Sequence, residues 1–260
     1  MKTVAVIIAG RQAAPWLQQC LASVAAQKLP HSWRLRILLG VDACESTFEA
    51  ARRLSVPGVQ VTYFPEHVGP YVIFNSLAFA HKSDVLVRFD ADDVMLDDYL
   101  RTQVELFQSS PRALITQTWS IYVDEKLRPT CAMLACGKTI RPDGRRLAGS
   151  DGQFAMSYSV WERLGSFRAW WCHADSDFLR RAEWAGITKT VIPRFLYLRR
   201  IHAMSLTQSR DTGYLSGWRK HYAQQIAAAV KRYSGGKAPE RVHPAVARRI
   251  GPMLNWPQQY

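Results

Sequence analysis

Over the first hundred residues, apolar runs of strand length alternate with stretches of helical periodicity, and this alternation constrains the fold more than any other feature. From Val4 to Ala9 the chain is continuously apolar, the pattern of a strand starting at Lys2 and buried on both faces. It meets Gly10 and then a helical stretch from Pro15 to Gln27, with Pro15 in the first turn and Trp16, Leu17, Cys20, Leu21 and Val24 at helical spacing. Arg36 to Val41 is a second strand ending at Asp42, Glu45 to Leu54 a short helix, and Val59 to Phe64 a third strand. Tyr71 to His81 reads as helix after the Gly69-Pro70 break, and Asp84 to Phe89 as a fourth strand. The order predicts an α/β chain with a mostly parallel sheet and ligands at the carboxyl ends of its strands.

The 260 residues suffice for one large domain, or one domain with an appendage. Hydrophobic residues at 48% and charged residues at 21% exclude a wholly disordered chain. No apolar run approaches the roughly 18 residues of a membrane span. The Val4 to Ala9 run reads as a first strand and not as a signal peptide, since it enters Arg11 without a cleavage-like segment. Five cysteines, few and odd in number, argue against a disulfide framework and for a reducing compartment, so a cytoplasmic location is expected. Cys131, Cys136, Cys172 and His173 fit no zinc spacing and read as ordinary thiols and an imidazole.

Charge is distributed unevenly. Residues 1–125 carry a net charge of −2 and residues 126–260 a net +15, with arginine supplying 25 of the 34 cations. A solvated basic face would explain that excess; so would a polyanionic partner, which its concentration in one half favours. Lys126 to Gly152, rich in Gly, Pro and Arg, is expected to be a long, partly mobile loop. Near the end, Leu215, Trp218, Tyr222, Ile226, Val230 and Tyr233 are expected to line one face of a helix, followed by a Gly235-Gly236 break and a basic tail.

Asp90, Asp92 and Asp93 follow the fourth strand directly. Three acids in four residues repel one another, and a fold that keeps them ionised normally offers a cation. A divalent metal bridging the protein to a diphosphate fits that need; a solvated cap at a strand end is the alternative. The surrounding motifs decide. Val4-Ala-Val-Ile-Ile, Cys20-Leu-Ala-Ser-Val-Ala-Ala-Gln27, the strand ending near Asp42, Gly69-Pro-Tyr-Val-Ile-Phe-Asn75 and Phe89-Asp-Ala-Asp-Asp93 together resemble the family 2 glycosyltransferases of the GT-A fold. Ala174-Asp-Ser-Asp-Phe-Leu-Arg-Arg-Ala-Glu-Trp-Ala-Gly186 is similar to the family's Glu-Asp motif, and Arg199-Arg-Ile-His202 with Ser205-Leu-Thr207 to its late Arg-x-His element. The matches run in the family's order over residues 3–207.

The resemblance implies a GT-A domain over residues 1–210, a Rossmann-like nucleotide-binding sheet flanked by helices, followed by a basic helical extension over 211–260. Within it, residues 1–125 would be the nucleotide-sugar and metal half and 126–210 the acceptor half. It also implies an inverting, metal-dependent transfer from a nucleoside diphosphate sugar, expected to be a UDP-sugar, with Mn2+ or Mg2+. By the same resemblance Asp42 would contact the base, and Asp90 the ribose or metal. Asp92, with Asp93 sharing the task, would bind the metal, and His202 would add a metal or diphosphate contact. Asp175 would be the general base. Ala174 replaces the family's Glu, and Gly10-Arg11-Gln12 replaces its aromatic-Asn pair, which leaves Arg11 as a donor contact of this chain's own. Asp177 reads as a helix cap or an arginine partner.

The acceptor is expected among Trp170, Trp171, His173, Arg199 and Arg200. One of the two adjacent tryptophans should be accessible beside the base, as a stacking platform. A nucleic acid would meet Arg141, Arg145, Arg146, Arg194, Arg199 and Arg200 with its phosphates, and a hydroxylated base would be flipped towards the tryptophans. Virus-encoded enzymes of this broad family glycosylate hydroxymethylated pyrimidines in DNA, and the Gly69-Pro-Tyr-Val-Ile73 and Ala174-Asp-Ser-Asp-Phe-Leu179 variants resemble that bacteriophage group. The host cytoplasm is the location this implies. A lipid-linked saccharide at the inner membrane face, with the Leu215 to Tyr233 helix on anionic lipid, is the alternative acceptor. A nucleotidyltransferase would want a Gly-rich phosphate loop that Gly10-Arg11 does not supply. A non-catalytic nucleic-acid binder would leave the acids unexplained.

Overall fold

The computed structural model describes residues 1–110, 115–134, 139–140, 152–187, 189–239, 242–243, 245–251 and 253–255. Its elements in order are β1 (Lys2–Gly10), α1 (Leu17–Ala25), β2 (Trp33–Asp42), α2 (Glu45–Leu54), β3 (Val59–Phe64), α3 (Pro70–Ala80), β4 (Val85–Asp90), β5 (Val94–Met95) and α4 (Tyr99–Ser109). Then come β6 (Ile115–Val123), β7 (Pro129–Met133), β8 (Thr139–Ile140), β9 (Ala155–Ser157), α5 (Tyr158–Arg163), α6 (Ala174–Trp184), β10 (Lys189–Arg200), α7 (Gly217–Ser234) and β11 (Met253–Asn255). All four predicted strands and three predicted helices of the first ninety residues are present.

One mixed sheet, in the order β11-β3-β2-β1-β4-β9-β6-β10-β5, organises the chain. Strands β3, β2, β1 and β4 are mutually parallel. Strand β9 runs antiparallel between β4 and β6, and β10 runs parallel to β6. Apolar residues fill β1 because both of its faces are covered. Val4, Val6 and Ile8 point into one core with α1 and α4, while Ala5 and Ile7 point into the other with α3, α5 and α6. Helix α3 is buried from Tyr71 to Ala78, which is why it is apolar on every side.

Chain order reverses beside β1, with β2 on one side and β4 on the other, and their carboxyl ends are level. Gly10 pairs with Val41, and Ala9 pairs with Asp90. A crevice therefore opens at the carboxyl edge of these strands, the usual ligand position in such sheets.

Two expectations need correction. Lys126 to Gly152 is not loop throughout, because Pro129–Met133 forms β7 on the edge of β6; residues 135–138 and 141–151, with Arg141, Arg145, Arg146 and Cys136, lie outside the described residues. The face of α7 is also rotated from the predicted one. Tyr222, Ala229 and Tyr233 are buried, whereas Leu215, Trp218 and Val230 are exposed. Described parts of the 211–260 segment pack on the body. Tyr222 stacks on Trp170, Tyr233 meets Trp184, and β11 pairs with β3. No helix among the described residues is long and apolar enough to cross a membrane, and none of the described cysteines forms a disulfide.

Candidate active site

A cavity of about 480 Å³ occupies the crevice, walled by the ends of β1, β2 and β4, the end of β10 and the segment after it. Gly10, Arg11, Asp42, His67, Trp171 and Arg199 line it together with Asp90, Asp92 and His202. Strand β4 brings the acids there. Side chains alternate along the strand, so Arg88 and Asp90 share one face and Phe89 enters the opposite core. Arg88 Nη2 pairs with Asp90 at 2.9 Å, and its Nη1 donates to the Gly152 carbonyl at 2.7 Å. Burial opposes the Arg88 charge, but Asp90, Tyr71 and Asp175 outweigh it and hold the guanidinium protonated.

Asp90, Asp92 and Asp93 part company in direction. Asp92 faces His202, whose Nε2 lies 2.8 Å from its Oδ2. The His202 ring lies 3.7 Å from that of Trp16, centroid to centroid, and its Nδ1 is buried with no hydrogen-bond partner. Asp93 turns inward, bonded to Gln153 and to the Arg200 backbone N–H, so it does not share Asp92's position. Burial, followed by repulsion from Asp92 and Asp90, raises the Asp93 carboxyl well above the usual range. Asp90 is raised by burial against the pull of Arg88, with Asp92 adding to the rise.

Asp175 stands in the first turn of α6, where the helix N-terminus favours a carboxylate. Its Oδ1 accepts from the Ser176 N–H at 2.8 Å, and the Tyr71 phenol lies near it. Burial and the neighbouring Asp175 push the Tyr71 phenol up, which keeps it a donor. Gly152 is required here: a Cβ would collide with the Asp175 carboxylate and come within 2.8 Å of Arg88 Nη1. Arg88 thus lies between the acid of the cavity floor and the acid of α6.

The remaining expected residues are placed as follows. Arg11 reaches across to the Asp42 and Ala43 carbonyls at 3.0 and 3.1 Å. Asp42 is buried, its carboxylate accepting from Val68 N–H at 2.8 Å and Gly69 N–H at 3.0 Å and contacting His67 Nδ1 at 2.7 Å. Asp42 thereby holds the turn into α3 while lining the cavity where a base contact is expected. Gly69 takes φ +83, with the Trp171 ring 3.0 Å from where its Cβ would be. Trp171 lines the cavity with its ring near His67, while Trp170 stacks under Tyr222 at 4.5 Å and does not line it. His173 takes φ +67 just before α6 and bonds Ser176; burial lowers its pKa, and it is not on the cavity wall.

Arg199 lies over the Tyr122 ring, Nη1 2.5 Å from its hydroxyl, and faces the cavity. Arg200 lines the cavity, and its side chain donates to the carbonyls of Asp92 and Glu125 and to Gln19 Oε1, which makes it a clamp on the acidic turn. Arg194 lies well back along β10 beside Thr102 and Asp98. Asp177 is the arginine partner expected, bonded to Arg168 at 3.2 Å and Arg181 at 2.8 Å. Sequence reasoning missed Arg88, Tyr71 and His67. A lone arginine in an apolar strand, two residues before Asp90 and so on its face, is the one of these that could have been found.

Residues 4–169 match the Glycosyl transferase family 2 profile. No curated protein sequence matches significantly. Among solved structures, the mannosyltransferase PcManGT from Pyrobaculum calidifontis, in complex with GDP-Man and Mn2+, superimposes with a TM-score of 0.65 at 18% identity, over 93% of this chain and 67% of that one. S. aureus TarS 1-349 in complex with UDP-GlcNAc gives 0.60 at 12% identity, over 92% of this chain and 74% of that one. Another structure of TarS 1-349 gives 0.57 at 13% identity, over 77% of this chain and 60% of that one. These likenesses fix the fold, and the profile covers well over half of the chain. The chain belongs to glycosyl transferase family 2 and is a glycosyltransferase of the GT-A fold.

Proposed function

We propose that the crevice binds a nucleoside diphosphate sugar with a divalent cation, and that Asp175 takes the proton of an acceptor hydroxyl as the sugar is transferred with inversion. The observation that carries this is the pair Asp90 and Asp92 on the wall of one carboxyl-edge crevice, with Arg88 bonded to Asp90 and within electrostatic reach of Asp175, which stands behind that wall. The donor nucleotide would lie towards Arg11 and His67, with UDP as the first candidate.

The side chains suit a cation. Among the described residues no three His, Cys, Asp or Glu side chains form a ready cage, but Asp90, Asp92 and His202 offer oxygen and imidazole donors at the cavity wall. An Mn2+ or Mg2+ ion bound mostly through substrate phosphates needs only one or two protein carboxylates. When bound, such a cation offsets the charge that develops on the leaving diphosphate. Asp175 accepts the proton as the acceptor oxygen bonds to the anomeric carbon and the bond to the diphosphate breaks. The Ser176 N–H fixes the Asp175 carboxylate, and the Trp171 ring packs against Gly69 at the start of α3.

For the acceptor we favour a hydroxymethylated pyrimidine in DNA. Residues 199–234 hold seven Lys and Arg against one acid, which suits a polyanion. The lipid alternative is weakened, because α7 turns Tyr222, Ala229 and Tyr233 to the protein and, beyond Trp218 and Val230, leaves mainly Ala, Gln, Lys and Arg outside. Mass spectrometry of nucleosides after incubation with Mn2+, mixed UDP- and GDP-sugars and duplex DNA carrying hydroxymethylated bases tests it. A hexose- or pentose-sized gain that vanishes in Asp175→Asn supports the reading. Sugar-nucleotide hydrolysis with no gain on DNA rejects this acceptor.

A further inference from the structure

Beside the cavity, the segment after β10 carries an unusual surface. Met204, Leu206, Tyr214, Leu215 and Trp218 are all exposed within fifteen residues, Leu215 at 86%. A scattered exposed Leu needs no explanation, but five large apolar side chains exposed in one short segment at the rim of a site do. Continuity with the cavity is direct: Met204 and Leu206 line it, and Asp211 lines both it and the shallow recess formed by Arg210, Gly217, Trp218 and His221.

The patch is also rigid. Trp218 stacks on Tyr222, which stacks on Trp170, with ring separations of 5.6 and 4.5 Å and interplanar angles of 20° and 10°. Arg219 lies over the Tyr214 ring and donates to the Thr212 carbonyl at 2.8 Å, and Tyr214 N–H closes the segment on Thr207. Leu215 is thus held out on a braced turn, with Arg210 and Lys220 exposed on either side.

We propose that this braced turn is a wedge for duplex DNA: Leu215, backed by Trp218, enters the base stack and occupies the gap left when the acceptor base is extruded towards Asp175. The inference rests on the DNA reading above and adds how a base inside a duplex becomes reachable. Apolar side chains that enter a base step unstack it at a cost of a few kcal/mol, and extrusion is required before chemistry on a paired base. The flanking cations would follow the phosphates on either side. A bilayer fits less well, since the apolar patch ends at the first turn of α7 and, Val230 apart, the rest of that helix presents polar and small residues.

The experiment uses a short duplex with 2-aminopurine next to 5-hydroxymethyluracil, and the matching single strand. Wild-type protein should raise 2-aminopurine fluorescence on the duplex. Leu215→Ala and Trp218→Ala should abolish that rise and lower the duplex-to-single-strand ratio of transfer about tenfold, with unchanged melting temperature for Leu215→Ala. An unchanged ratio in both variants overturns the wedge while leaving the DNA reading in place. Absence of wild-type binding to either DNA at low salt overturns both. Sedimentation with phosphatidylglycerol-containing vesicles that Leu215→Ala abolishes, in place of DNA binding, would assign the patch to lipid and also overturn the wedge.

Discussion

Arg88 does at the residue scale what no motif announces. It spans Asp90 and the Gly152 carbonyl, so that a shift of its head displaces both sides of the site. Lysine keeps the charge but lacks the fork that reaches both partners. Arg88→Lys should therefore lower transfer about 100-fold, the order expected from a misplacement of about 1 Å, with the fold retained by circular dichroism. Asp93 offers a pH test. Its folded pKa is raised, so its contribution to stability is present below the unfolded value of about 3.9 and is lost as pH rises through the folded value. Asp93→Asn removes that ionisation. Its melting temperature relative to wild type should rise with pH, measured with chelator present; a pH-independent difference would contradict the assignment. Asp90, Asp92, Asp175 and His202 were legible because they lie in spaced motifs. Tyr71 and His67 were not, since each looks like an ordinary helix or loop residue until the chain brings α6 and β2 beside it.

Elements differ in how openly their sequences declare them. The parallel strands β1 to β4 are apolar on both faces and read at once. Strand β6 does not, because Thr116, Gln117, Thr118 and Ser120 are buried at 1% exposure or less in a sequence that looks like loop. Strand β10 contains Pro193 and shifts register between Ile192 and Tyr197, which breaks its alternation. In α7 the predicted stripe fitted a helix, but the buried side is set by Trp170 and Trp184, which no local pattern contains. Helix α6 owes its seating to Asp177, 3% exposed, against Arg181, 1% exposed. Arg181 also donates to the Leu164 and Ser166 carbonyls. Asp177→Ala leaves that guanidinium buried without its counter-charge and should cost about 3–5 kcal/mol, read as a fall in the denaturation midpoint at unchanged m-value.

On the scale of the whole molecule, the described chain after α7 returns to the sheet. The Asn75 amide donates to the Ala245 carbonyl, Ala247 N–H donates to Ser76, and Gly251 N–H donates to the Tyr63 carbonyl before β11 pairs with β3. Ending the chain at Lys237 should destabilise it by at least about 3 kcal/mol, near 1 kcal/mol for each of these bonds. Composition displayed the basic half but not its return onto the sheet, since that path depends on contacts far apart in sequence.

The central claim is a cation-dependent nucleoside diphosphate site at Asp90 and Asp92, separate from the base at Asp175. Titration calorimetry of UDP and GDP, each with and without Mn2+, against wild type, Asp92→Asn and Asp175→Asn tests it without knowledge of the acceptor. The account predicts binding of at least one nucleotide that requires Mn2+, is lost in Asp92→Asn and persists in Asp175→Asn. Binding that is indifferent to Mn2+ and to Asp92, or none by either nucleotide, would contradict it.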